Sequence, residues 1–167
     1  MQKIISMILS FLFMIFPFSS TLQWFDQVNR FPGKDVVTEQ LIEAFKNEDV
    51  EAIREMFCEY EKNDERIVPQ IKKLFDAIKG DFVSARYIPA GGSHSNGTES
   101  SEEWDIEYVT TKEVYIINPQ WFVSDIVNPE RVGLYAIFVG NDYRNATEEG
   151  REIVVYARAH IPFKTEV

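Results

Sequence analysis

Apolar residues along this chain keep helical spacing in the first half and alternate as in strands in the second, and the change falls inside residues 71–88. Ile71, Leu74, Phe75 and Ile78 recur at the three- and four-residue intervals of a helix face. After Gly80, Val83, Ala85 and Tyr87 are expected on one side of a strand and Ser84 and Arg86 on the other. Upstream, Val37, Leu41, Ile42 and Phe45 mark the apolar face of a first helix beginning near Asp35. Asp49 is placed to cap a second helix, whose stripe is Val50, Ile53, Met56, Phe57 and Tyr60. A third helix is predicted to start around Asn63, or later if Pro69 takes its first position.

Downstream, Trp104, Ile106 and Tyr108 alternate with Asp105 and Glu107, the clearest two-residue period in the chain. That pattern buries the tryptophan side and leaves Asp105 as a solvated carboxylate on the other. Further strands are predicted over 114–117, 121–127, 132–139 and 153–159, divided by Asn118-Pro119, Asn128-Pro129 and the polar stretch 141–150. Residues 93–103 are polar and glycine-containing and read as a mobile loop. The class is therefore α+β, with three N-terminal helices packed on an antiparallel sheet of four to six strands. It occupies one domain over 35–167, and 22–34 forms a lead-in whose Trp24, Phe25 and Phe31 can cover a core edge.

The first 21 residues follow different rules. Lys3 precedes an apolar run over 4–18, interrupted by Ser6 and Ser10 and followed by Ser19-Ser20-Thr21, which is the layout of a secretory signal peptide. The run is shorter than the ~20 residues that span a bilayer comfortably. A secreted or extracytoplasmic cell-envelope location is expected, with membrane attachment only through an uncleaved signal anchor.

Composition narrows the partners. With 45% hydrophobic residues in 167, the chain can build one substantial core. A net charge of −10 and a pI near 4.7 argue against nucleic acid, because phosphate binding draws on Lys and Arg, and against docking on an anionic membrane. Cys58 is the single cysteine, so no intrachain disulfide forms, and its neighbours Glu55, Glu59 and Glu61 oppose a reactive thiolate. His94 and His160 stand alone, without HExxH or CxxC spacing, so neither a metal nor another cofactor is expected. Ser93 and Ser95 flank His94 in a loop too loose to orient a nucleophile and base. Gly91-Gly92 lacks the following lysine or helix start of a phosphate cradle.

Several spaced blocks carry a family likeness: Leu41-Ile42-Glu43-Ala44-Phe45-Lys46-Asn47 with Asp49, the run through Gly80 to Ser84, Gly91-Gly92, and Asn128-Pro129-Glu130-Arg131-Val132-Gly133-Leu134. Together they resemble an uncharacterised bacterial envelope and lipoprotein family, domain-of-unknown-function family 5104. The resemblance implies an NTF2-like (cystatin-like) fold, a curved sheet wrapped against helices as a cone, and implies no activity. Many members look like lipoproteins with a cysteine directly after the signal's apolar run, and Ser19-Ser20-Thr21 offers none.

The expected role is a non-catalytic module that binds a small apolar or aromatic ligand, or an envelope protein, through an aromatic-lined pocket. Candidate binding residues are Arg86, Tyr87, Trp104, Tyr108, Trp121, Tyr156 and His160, with Phe122 and Tyr135 as further lining. The alternative is an isomerase- or dehydratase-like enzyme with Asp105, Asp125 or His160 as base and Tyr87, Tyr108, Tyr115 or Tyr156 as donors. Mass spectrometry of the exported protein is expected to find a mature N-terminus near Ser20 or Thr21, and recovery of Met1 would overturn cleavage.

Overall fold

A computed structural model describes Gln27, residues 31–141 and the strand 153–157; the predicted signal segment, most of the lead-in and His160 lie outside the described residues. Among these residues the order is α1 (Lys34–Lys46), α2 (Val50–Met56), α3 (Glu59–Lys62), α4 (Ile67–Ala77), β1 (Phe82–Ile88), β2 (Ser93–Ser95), β3 (Glu99–Glu103), β4 (Asp105–Thr110), β5 (Val114–Asp125), a 3-10 turn (Pro129–Arg131), β6 (Gly133–Asn141) and β7 (Ile153–Ala157). The architecture is α+β, with helices packed against one antiparallel sheet. One side of β5 pairs with β4 along its first half and with β3 along its second; the other side pairs with β6, which pairs with β7. Six strands have five or more residues and the three-residue β2 adds an edge piece; 114–117 and 121–127, predicted as two strands, run together as β5, and β3 stands in the predicted loop.

The core lies between the helices and one sheet face. Val37, Leu41 and Phe45 of α1, Ile53 of α2 and Ile67, Ile71, Leu74 and Phe75 of α4 meet Trp104 just before β4, Ile106 and Tyr108 of β4, Tyr115 and Ile117 of β5, and Leu134, Ile137 and Val139 of β6. The indole Nε1 of Trp104 would be an unsatisfied donor there, but it donates to Thr38 Oγ1 on α1 at 2.8 Å, fixing helix against sheet. Asp49 caps α2 as expected, accepting from Ala52 N at 2.9 Å.

From Lys34 onward, four helices stand among the described residues where three were predicted. The second stops at Met56, because Phe57 and Cys58 take extended backbone angles (ψ 147° and 158°) and dock on the start of β6. Phe57 forms a parallel bridge with Leu134, and Cys58 N donates to Leu134 O at 2.8 Å. The chain then makes the short α3, leaving Tyr60 42% exposed instead of on the apolar stripe. Pro69 falls at the third residue of α4, still within the turn whose N–H groups have no partner in the helix.

The switch over 71–88 is fastened from across the sheet. Lys79 N donates to the Tyr115 hydroxyl at 2.9 Å, and Thr110 Oγ1 donates to Lys79 O at 2.7 Å. Gly80 has φ of +92°, where a Cβ would lie 2.9 Å from Thr111 Oγ1. A bulge between Phe82 and Ser84 then breaks the predicted alternation, so Val83 is 56% exposed while Ala85 and Tyr87 pack on the core.

Two boundaries differ for reasons of pairing. Residues 93–103 form the hairpin β2–β3, because the second half of β5 offers β3 a backbone partner and asks nothing apolar of its half-buried side chains. Asn118-Pro119 interrupts nothing, since pairing with β4 ends at Ile117 and pairing with β3 begins at Gln120. Proline's missing N–H thus falls where β5 changes partners, and Asn118 Nδ2 fills the gap by donating to Trp104 O at 3.0 Å.

Gly133 is a close contact between the helices and the sheet. With φ of +132°, and Cys58 Cα 3.0 Å from where its Cβ would be, Gly133→Ala is expected to cost about 2–4 kcal/mol. Urea denaturation checks this; a loss below about 1 kcal/mol would show that the docking tolerates a side chain.

Candidate functional site

The predicted binding residues are not gathered in one place. Trp104 is fully buried in the core, and Tyr87 packs half-buried against it. Tyr108 is buried between Phe45 and Phe82, with ring centroids 6.2 and 5.2 Å away, and lines a small hollow of about 190 Å³ with Glu48 and Phe75. Arg86 is an exposed strand residue whose Nε meets Glu107 Oε1 at 2.6 Å. Tyr156 lies on β7 with its side chain, like all of His160, outside the described residues. Phe122 and Tyr135 stack on each other at 4.3 Å, with the Arg131 guanidinium 4.2 Å from the Phe122 ring centre.

Of the candidates whose side chains are described, Trp121 alone opens onto a large concavity. This cleft, of about 690 Å³, runs between α1, α2 and α3 and the Val132-Gly133 segment that leads into β6. Its apolar surface comes from Ala44, Ala52, Met56, Phe57, Trp121 and Val132. Its polar surface is mostly acidic, with Glu43, Asp49, Glu55 and Glu59 against Lys62. Lys62 is already engaged, 2.6 Å from Glu59 and 3.8 Å from Glu55, and those carboxylates hold its ammonium above the ordinary lysine range. Glu43 accepts from Asn47 at 2.7 Å and Lys46 at 3.2 Å, which lowers its pKa. Phe31 packs on Trp121 at 5.7 Å, and the indole Nε1 is buried without a partner among the described residues, so Trp121 offers the cleft no N–H.

The two carboxylates considered as bases are committed to structure. Asp105 does lie off the Trp104 face, but it is 4% exposed instead of solvated and accepts from Asn118 Nδ2 at 2.9 Å, because the partner change in β5 brings Asn118 beside it. Asp125, 1% exposed, accepts from Val127 N, Asn128 N and Arg131 Nη1 at 3.1, 2.8 and 2.9 Å and so closes the turn before β6. His94 is exposed on β2, and no group of three or more potential metal ligands occurs among the described residues. No described helix is long and apolar enough to cross a membrane.

Helix-face reading missed Gln40, Ala52, Met56 and Cys58 as cleft residues, because the cleft exists only where α2 breaks off to meet Gly133. The one local signal was Asn128-Pro129 with Gly133, a turn followed by a residue suited to close approach.

The fold and cleft define a small α+β domain with an open, acid-rimmed apolar concavity. The model of the family described as domain of unknown function (DUF5104) matches residues 40–148, and the chain belongs to that family. No match was found among curated proteins.

Cys58 lies in the cleft wall at 2% exposure, and burial, with the Glu61 carboxylate also contributing, pushes its thiol up from 9.0 to about 11. The folded state therefore favours the protonated thiol. The stability this contributes is complete below the unfolded value and is lost as pH rises through the folded one. From pH 9 to about 11 the wild type is expected to lose stability relative to Cys58→Ala, measured by denaturation at each pH. Parallel profiles would show that the thiol ionises freely in the fold.

Proposed function

We propose that this domain is a binding module of the bacterial cell envelope that takes a small ligand in the cleft beside Trp121. The carrying observation is a concavity of about 690 Å³, within the range of ~300–1,000 Å³ usual for small-molecule sites, with apolar side chains beside a mostly acidic polar rim. The Cys58 thiol is held protonated, and Asp105 and Asp125 are hydrogen-bonded to their own framework, which favours recognition over chemistry at this site. The apolar run over 4–18 supports an extracytoplasmic location, secreted or envelope-bound. The order of helices followed by an antiparallel sheet fits an NTF2-like arrangement, with the cleft at its helical side.

A panel of small apolar and aromatic compounds, screened by thermal unfolding, tests the reading. At a concentration near ~100 Kd a true ligand is expected to raise Tm by roughly 5–10 °C. The rise should disappear in Ala52→Trp, which fills the cleft from α2, and in Trp121→Ala. A panel without any stabilising compound, or hits that survive both substitutions, would overturn the cleft as the site.

A further inference from the structure

Of the concavities, charge clusters and exposed faces on the described surface, the Trp121 cleft is the one whose chemistry selects a ligand type. We infer that it takes an organic cation, a substituted ammonium group carried on an apolar body, an inference that rests on the cleft being a binding site. Two independent features support it. Four carboxylates line the cleft against one lysine, and that lysine is bound by two of them. Trp121 lines the same space, and with its Nε1 buried the indole offers the cleft no N–H. An indole ring attracts a cation through its quadrupole, and tryptophan does so best among the aromatic side chains.

The features also exclude other ligands. A carboxylate or phosphate entering here would face Glu43, Asp49, Glu55 and Glu59 with no free cation in the lining to receive it. A ligand needing a strong donor would not find one in the buried Trp121 N–H. The chain's net charge of −10 adds a long-range field that draws cations toward the surface and repels anions. Glu55 and Glu59 are 67% and 65% exposed, so they remain hydrated, and selectivity is expected to be moderate and sensitive to salt.

The probes are phenylpropylammonium, phenylpropanol and phenylpropionate, which share a body and differ in charge. Binding to the full chain is measured by ligand-observed NMR in low salt. The ammonium compound is expected to bind about tenfold more tightly than the carboxylate, with the alcohol between, and the spread should shrink in high salt. In Glu55→Gln/Glu59→Gln, Lys62 loses both partners and the ammonium preference should fall to about twofold or less. The same double variant should bind the alcohol as the wild type does. Equal binding of all three probes, or a preference for the carboxylate, overturns the cation inference and leaves the cleft standing. Failure of every probe to bind overturns both readings, and so does binding that persists in Ala52→Trp.

Discussion

The contact on which the remaining structure turns is the docking of Phe57-Cys58 against Gly133-Leu134. One backbone hydrogen bond, Cys58 N to Leu134 O, brings the end of α2 onto the first residues of β6. A side chain at position 133 would collide with Cys58 backbone, so approach at this distance is open to glycine alone. Helix propensity would have carried α2 through to Tyr60; the bridge to β6 outweighs it, because it satisfies a backbone donor that the broken helix leaves buried. The consequence is geometric. Turned aside at Phe57, the chain opens a cleft between α1, α2, α3 and the segment before β6, and Trp121 of β5 stands at its wall.

The sheet is held by a second economy of backbone partners. β5 is long enough to serve two neighbours on one side, and its proline sits at the exchange between them. Asn118 repairs the gap with its side-chain amide and in doing so ties down Asp105. At the far end Asp125 collects two backbone amides and Arg131, and its own backbone exchanges hydrogen bonds with the Gln27 side chain. Both buried carboxylates thereby serve as connectors, with their desolvation offset by specific donors.

Local periodicity made the layers legible. The stripe of α4 and the alternation of β4 are patterns that short-range sterics and one buried face dictate, and Ile71, Leu74, Trp104, Ile106 and Tyr108 all entered the core. What periodicity could not see were contacts set by the partner strand. The Val83 bulge depends on register against β4, the continuity of β5 through Pro119 on which neighbour ends where, and the pairing of polar β3 on the length of β5. The break at Cys58 belongs with them, being imposed from far downstream by Leu134. The candidate site suffered most. Choosing aromatics as pocket lining selected Trp104 and Tyr108, which the core consumed, and retained Trp121, whose exposure follows from its place beside the break.

Aromatic content was thus a poor guide to a pocket, and the distribution of charge is a better one. The acidic residues of α1 and α2 read as a solvated outer face when each helix is taken alone. Packed together, α1, α2 and the start of α3 bring Glu43, Asp49, Glu55 and Glu59 around a single concavity, where like charges repel and Lys46 and Lys62 offset only part of the cost. A solvated face has no need to curve around apolar carbon. Here the carboxylates border the half-buried side chains of Met56 and Trp121, and Lys46 and Lys62 match only part of their charge. A cation with an apolar body would relieve both the excess negative charge and the hydration of apolar carbon.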